Sequence, residues 1–211
     1  MIRMLFPILT TAVVLVSAPL TRGGETSEAT KAKLKKDGFV ELFDGKSLSG
    51  WDSVENPNVW SVTPEGAIKG DGPRSHLFSP KEYTDFHYRA DVKINHGGNS
   101  GMYFRTKKEG GWPTGYEAQV NNTHKDPKKT GSLYNIKNVT EQQIPDDTWW
   151  VQEVIAKGNR IIIKVNGKTV VDHVDPEKRH SKGHFALQQH HPGSVVQYKN
   201  VMVKDLAKDK N

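Results

Sequence analysis

The stretch RIIIKVNGKTVVDHV, residues 160–174, most narrows what this chain can become. Two runs rich in β-branched residues flank Asn166-Gly167, a pair that readily supplies the positive φ angles of a two-residue turn. A tight hairpin is predicted here. The same pattern recurs along the chain. WSVTPEGAIKGDG (60–72) breaks at Pro64-Glu65-Gly66 as a hairpin would, and HYRADVKI (87–94) alternates. SGMYFRT (100–106), GYEAQV (115–120) and WVQEVIAKG (150–158) follow, punctuated by Gly, Pro and Asn. Short strands at this spacing predict an all-β fold, a two-sheet antiparallel β-sandwich or jelly roll. No long amphipathic helix is read after residue 38. Residues 122–147 form the longest irregular piece, a length that in a compact domain points to function or mobility.

The chain divides simply. Residues 1–24 read as a secretory signal peptide: Arg3 gives a positive start, residues 5–16 are apolar but too few to span a bilayer, and Ser17 and Ala18 follow. Cleavage is expected between Ala18 and Gly24, so an exported protein, periplasmic or extracellular, is expected. Residues 25–38 are polar and lack aromatic residues, as in a linker or short helix. Residues 39–206 make one domain, with 207–211 as a tail. The absence of cysteine excludes disulfides, thiolate metal sites and lipid attachment to an N-terminal cysteine. The net charge of +6 is scattered over residues 31–36, 125–129, 160–168 and 204–210 and forms no stripe. Nucleic acid is therefore not an expected partner, and neither is a membrane once the leader is removed.

Strand periodicity assigns faces. In residues 100–106, Met102 and Phe104 alternate with Tyr103 and Arg105. In GHFALQQH (183–190), Phe185 and Leu187 alternate with His184, Ala186, Gln188 and His190. GYEAQVNN (115–122) sets Glu117, Gln119 and Asn121 on one face. If the apolar faces pack between two sheets, the outward face carries Tyr103, Arg105, Glu117, Gln119, Gln188 and His190. Such donors and acceptors suit sugar hydroxyls, and Trp112, just before the Glu117 strand, offers a plate for a sugar ring. A solvated outer sheet shows similar alternation.

Six motifs in order carry a resemblance: FVELFDGKSLSGW (39–51), GGNSGMYFR (97–105), GYEAQV, TGSLY (130–134), WWVQEVIAKGNRIIIKVNGK (149–168), and GHFALQQH with QYKNVMVKDL (197–206). Over residues 39–206 the chain resembles the 3-keto-disaccharide hydrolase family, formerly a domain of unknown function in exported bacterial proteins. The resemblance implies a concanavalin-A-like lectin/glucanase jelly roll and cleavage of glycosides oxidised to a ketone at C3. It also implies that Arg105, Glu117, Gln119 and His190 sit on the sugar-binding face. Many relatives read LQDHG, and later a phenylalanine-arginine-asparagine triplet, where this chain has Gln188-Gln189-His190-His191 and Tyr198-Lys199-Asn200. Gln189 lacks the acid, and Lys199 keeps a charge without the planar fork of arginine.

The chemistry follows from what the ladder lacks. An ordinary glycosidase uses two carboxylates, and this strand offers only Glu117, followed by Gln119 and Asn121. A 3-keto sugar needs less, because its ketone acidifies the C2 proton; one base and one oxyanion stabiliser suffice. The expected catalytic group is His190 or Glu117 for proton transfer, with Arg105 as clamp or charge stabiliser. Gln119, Gln188, Tyr103, Asn121 and Trp112 are the expected substrate-binding residues. An ion pair of Glu117 with Arg105 that merely joins strands is the plainer reading of those two. No cofactor and no metal is expected, although Glu117, Asn121 and His190 are acceptable ligands for a divalent cation. His190 and His191, read as strand neighbours, point to opposite faces and cannot share an ion without a bulge. The expected partner is an oligosaccharide or glycoside, and a non-catalytic lectin-like module is the alternative function.

Overall fold

The computed structural model describes residues 25–208. The leader read over residues 1–24 and the last three residues of the tail lie outside the described residues. Among those described, no helix is long and apolar enough to cross a membrane.

Residues 28–36 form α1 (Glu28–Lys36), with Ser27 as N-cap accepting from the Thr30 amide at 3.2 Å. The polar segment ahead of the domain is anchored here: the backbone N–H and hydroxyl of Thr26 both donate to the buried carboxylate of Asp91. Twelve strands follow: β1 (Val40–Glu41), β2 (Trp60–Val62), β3 (Ile68–Asp71), β4 (Ser75–Tyr83), β5 (Phe86–Ile94), β6 (Ser100–Thr106), β7 (Tyr116–Val120), β8 (Trp150–Lys157), β9 (Arg160–Val165), β10 (Lys168–Val174), β11 (Gly183–Gln189) and β12 (Val195–Asp205). They build two antiparallel sheets. The larger has the order β10-β9-β8-β5-β12-β3-β2, with β1 added on β12, and the smaller has the order β4-β11-β6-β7. This is the two-sheet jelly roll that the periodicity predicts.

Local chemistry sets the turns. Asn166 and Gly167 have φ of 48° and 78°, so the β9–β10 hairpin closes through the mirror-image turn that matches strand twist. The β2–β3 hairpin closes at Gly66, φ 73°, with the Gly66 amide donating to Thr63 O at 2.9 Å.

The core is the seam between the sheets. Phe185 of β11 stacks on Tyr88 of β5 with centroids 4.0 Å apart and meets Phe86 edge-on at 4.7 Å. Met102, Phe104 and Leu187 from the small sheet and Trp150, Val154, Ile163 and Tyr198 from the large one complete it. Each large side chain removed from water contributes roughly 1.5–3 kcal/mol.

Two departures from regular pairing position the site. Between β6 and β11, His184 pairs with Thr106 and Ala186 with Tyr103, so Phe104 and Arg105 together oppose Phe185. Arg105 is the extra residue of this bulge and takes φ 49°. The long segment 122–147 folds back along β7: the Gly131 amide donates to Gln119 O and the Tyr134 amide to Glu117 O, each at 3.0 Å. These bonds cover what would be an open sheet edge.

Candidate functional site

The outward face of the small sheet is the base of a cleft of about 590 Å³. Its lining includes Tyr103 from β6, Glu117 and Gln119 from β7, Gln188 from β11 and His190 just beyond it. Trp112 stands on the 107–115 loop, and Tyr134, Asn135, Arg179 and His180 come from the long segment and the β10–β11 connection. Alternation explains the strand residues: Met102, Ala118 and Leu187 go to the core, and their sequence neighbours face the cleft.

Glu117 is only 9% exposed. Burial pushes its carboxyl up to about 8, against the opposing effect of a hydrogen bond from Tyr103. With its amide oriented to suit both neighbours, Gln119 donates to Glu117 Oε1 and to Ser100 O, each at 2.9 Å. Gln188 Nε2 donates to the Tyr103 hydroxyl at 3.1 Å and lies 3.3 Å from His76 Nε2. The polar groups therefore form one connected network on the sheet.

Gly101 makes room for the acid. A methyl group there would sit 2.8 Å from the Cδ and Cγ of Glu117. Because the obstacle is the end of a flexible side chain, Gly101→Ala is expected to push the carboxyl aside and cost about 1–3 kcal/mol in stability. An NMR titration would then show Glu117 moving back toward the ordinary carboxylate range. Unchanged titration would mean that the acid does not depend on this gap.

His190 is the second titratable group. Burial first, then the neighbouring imidazoles His191 and His124, lower it to about 4. It is therefore neutral near pH 7. Its Nδ1 lies 2.9 Å from His191 Nδ1. This corrects the expectation that the two rings point apart: β11 ends at Gln189, and past the end of a strand the alternation no longer applies. Trp112 is 54% exposed, with its ring 5.1 Å from that of His190 and the Arg74 guanidinium 4.9 Å above it. Arg74 in turn donates to Glu55 at 3.1 and 3.3 Å.

Two expected site residues lie elsewhere. Arg105 is turned by the bulge to the core side, over the Phe86 ring at 5.9 Å. Its guanidinium donates to Thr84 O and Gly158 O at 2.8 Å, to His180 O at 3.1 Å and to Asp85 at 3.3 Å. It neither clamps a ligand in the cleft nor pairs with Glu117. Asn121 follows the last residue of β7 and donates to Asp126 O and Lys128 O at 2.9 and 2.8 Å, folding the long segment rather than lining the cleft. Its Nδ2 is engaged there, whereas Oδ1 has no hydrogen-bond partner among the described residues. Among the described residues, no group of three or more His, Cys, Asp or Glu side chains is arranged to hold a metal ion.

Sequence reasoning missed His76, Asn99, Tyr134, Arg179 and His180. His76 sits on β4, whose first five residues are buried on both faces, so no alternation identifies it. Burial lowers it to about 4 and keeps it neutral beside Tyr103 and Gln188. Tyr134 lies inside the TGSLY motif and donates to Asp126 at 2.9 Å.

Comparison with known proteins bears on the family and the fold. The family model for the 3-keto-alpha-glucoside-1,2-lyase-like domain matches residues 38–204. A 3-keto-disaccharide hydrolase of Bacteroides thetaiotaomicron is 24% identical over 171 residues, covering 65% of this chain. The chain spans 59% of the length of that relative. A Parabacteroides distasonis protein provisionally described as a glycosyl hydrolase superposes with a TM-score of 0.73 at 25% identity, covering 88% of this chain and 100% of that one. A Bacillus licheniformis β-glucanase shares the fold, with a TM-score of 0.58 at 13% identity over 78% of this chain and 95% of that one.

Proposed function

The chain belongs to the 3-keto-alpha-glucoside-1,2-lyase-like domain family, and from that premise we propose that it cleaves 3-keto-glycosides, including 3-keto-disaccharides, by elimination and hydration. The observation that carries this reading is that Glu117 and His190 line one cleft with their protonation equilibria displaced in opposite directions. Environments that split two groups in this way assign an acid and a base. Neutral His190 takes the C2 proton. The electron pair passes into the ketone as an enolate and then forms the C1–C2 double bond as the C1–O bond breaks. Glu117, still protonated, gives its proton to the departing oxygen.

Water completes the cycle. Its hydroxide adds at C1, its proton returns to Glu117, and His190 returns a proton to C2. With Arg105 outside the cleft, the enolate oxygen relies on the Tyr103 hydroxyl, which turns to it from Glu117. Trp112 offers its exposed ring to the sugar. On this reading the leader at residues 1–24 directs the activity to the periplasm or the medium.

Turnover of a chromogenic 3-keto-glucoside beside its unoxidised parent tests the proposal. Release from the keto substrate alone is expected; saturable binding of either sugar without release would make the cleft a lectin-like site instead. The pH profile tests the roles. Activity needs neutral His190 and is lost as pH falls through about 4. It also needs protonated Glu117 and is lost as pH rises through about 8. Activity that instead climbs through pH 8 would make Glu117 the base.

A further inference from the structure

His190 is followed by a tight turn, His191-Pro192-Gly193-Ser194. Gly193 has φ 95°, and the Ser194 amide donates to His191 O at 3.1 Å. Proline second and glycine third are what a type II turn demands. The turn is held from outside by Asn95, whose Nδ2 donates to Gly193 O at 2.9 Å and whose Oδ1 accepts from the Val195 amide at 2.8 Å. Its position is therefore fixed. It sets Ser194 Oγ 3.1 Å from His191 Nδ1, and that ring nitrogen lies 2.9 Å from His190 Nδ1.

Counting protons along this chain of contacts selects one tautomer. The Asn99 amide donates to Ser194 Oγ at 2.9 Å, so the serine hydroxyl keeps its own proton to donate onward. Its neighbour in that direction is His191 Nδ1. A nitrogen that accepts from serine carries no proton, so the hydrogen bond between the two imidazoles takes its proton from His190 Nδ1, the two donors sharing the one lone pair of His191 Nδ1. The reverse arrangement, with His191 donating, leaves the buried serine proton without this acceptor. The His124 ring stands further off, its centroid 5.8 Å from that of His190 against 5.1 Å for His191.

We propose that His191 is a positioning residue: backed by Ser194, it holds His190 in the tautomer protonated on Nδ1 and leaves Nε2 as the bare nitrogen. The functional consequence rests on the reading of His190 as the base. A base must offer a lone pair, and of the two nitrogens only Nε2 is not tied to His191. Two imidazoles in sequence thus do what a carboxylate behind a histidine does elsewhere, with no buried charge.

Side-chain nitrogen NMR of the full chain tests the assignment without any substrate. His190→Gln identifies the His190 signals, and these are expected to show a protonated Nδ1 and an unprotonated Nε2. In His191→Leu, which lacks the acceptor, the Nε2-protonated form should become substantial. In the same variant, kcat on the 3-keto substrate is expected to fall by about tenfold or more with KM nearly unchanged. His191→Asn, which restores an acceptor oxygen, is expected to recover both the tautomer and part of kcat. A wild-type His190 protonated on Nε2, or a tautomer indifferent to His191→Leu, would overturn the proposal. Absence of turnover in the wild type would count against the proposed reaction, while the NMR result would still decide the role of His191.

Discussion

His190→Gln is expected to lower kcat on a 3-keto-glucoside by about 10²–10⁴-fold, the usual contribution of a positioned proton-transfer group. Substrate affinity should change by only a few-fold, because glutamine still fills the space beside Trp112 and His124 and keeps a hydrogen-bonding end. Glu117→Gln should cost a similar factor with a substrate whose leaving group needs protonation. It should cost much less with a nitrophenolate leaving group, which departs without a proton. That contrast separates an acid from a base, since loss of a base at position 117 would slow both substrates alike. Equal loss with both leaving groups would therefore reverse the roles given to Glu117 and His190.

The same residue has a pH signature in stability. Its folded value of about 8 lies above its ordinary value of 4.5. Between these two values the folded chain binds more protons than the unfolded one, so Glu117 makes stability decline as pH rises through that window. Glu117→Gln removes this slope. Melting curves at pH 5 and pH 8 should show the variant losing less than the wild type over the same interval, which also reports that the variant folds.

The second large effect is on the fold. Arg105→Ala is expected to destabilise the domain by about 3–5 kcal/mol, the scale found when one partner of a buried charged network is removed. Three backbone carbonyls, of Thr84, Gly158 and His180, lose the donor that Arg105 gives them. Arg105→Lys should recover little, because one ammonium cannot reach the three directions that the guanidinium spans. Chemical denaturation measures the loss. Where the variant remains folded at low temperature, its KM should stay close to that of the wild type. A variant of unchanged stability that has lost substrate binding would return Arg105 to the cleft.

Arg105 also shows where reading the sequence stops. Its parity with Tyr103 is correct for an unbroken strand, and it fails because one residue is inserted between Tyr103 and Thr106 relative to β11. The left-handed backbone that accommodates this belongs to an arginine, so no glycine announces it. Asn121 has the right parity too, but β7 ends one residue earlier and the long segment claims its amide. His190 and His191 meet for the same reason at the end of β11. In contrast, Glu117, Gln119, Tyr103 and Gln188 lie inside regular pairing, and their face is legible from the order of polar and apolar residues alone.

By itself, the sequence determined the strands, their inward faces, the Asn166-Gly167 turn and the polar set at the centre of the cleft. These follow from side-chain alternation and backbone preferences, which act over a few residues. Only the tertiary structure decided the rest: that Arg105 supports the fold, that His76 and Tyr134 join the site, and that His191 stands behind His190. Bulges, strand ends and the partners of a buried group are fixed by register between segments far apart in the chain. Local periodicity carries no information about that register.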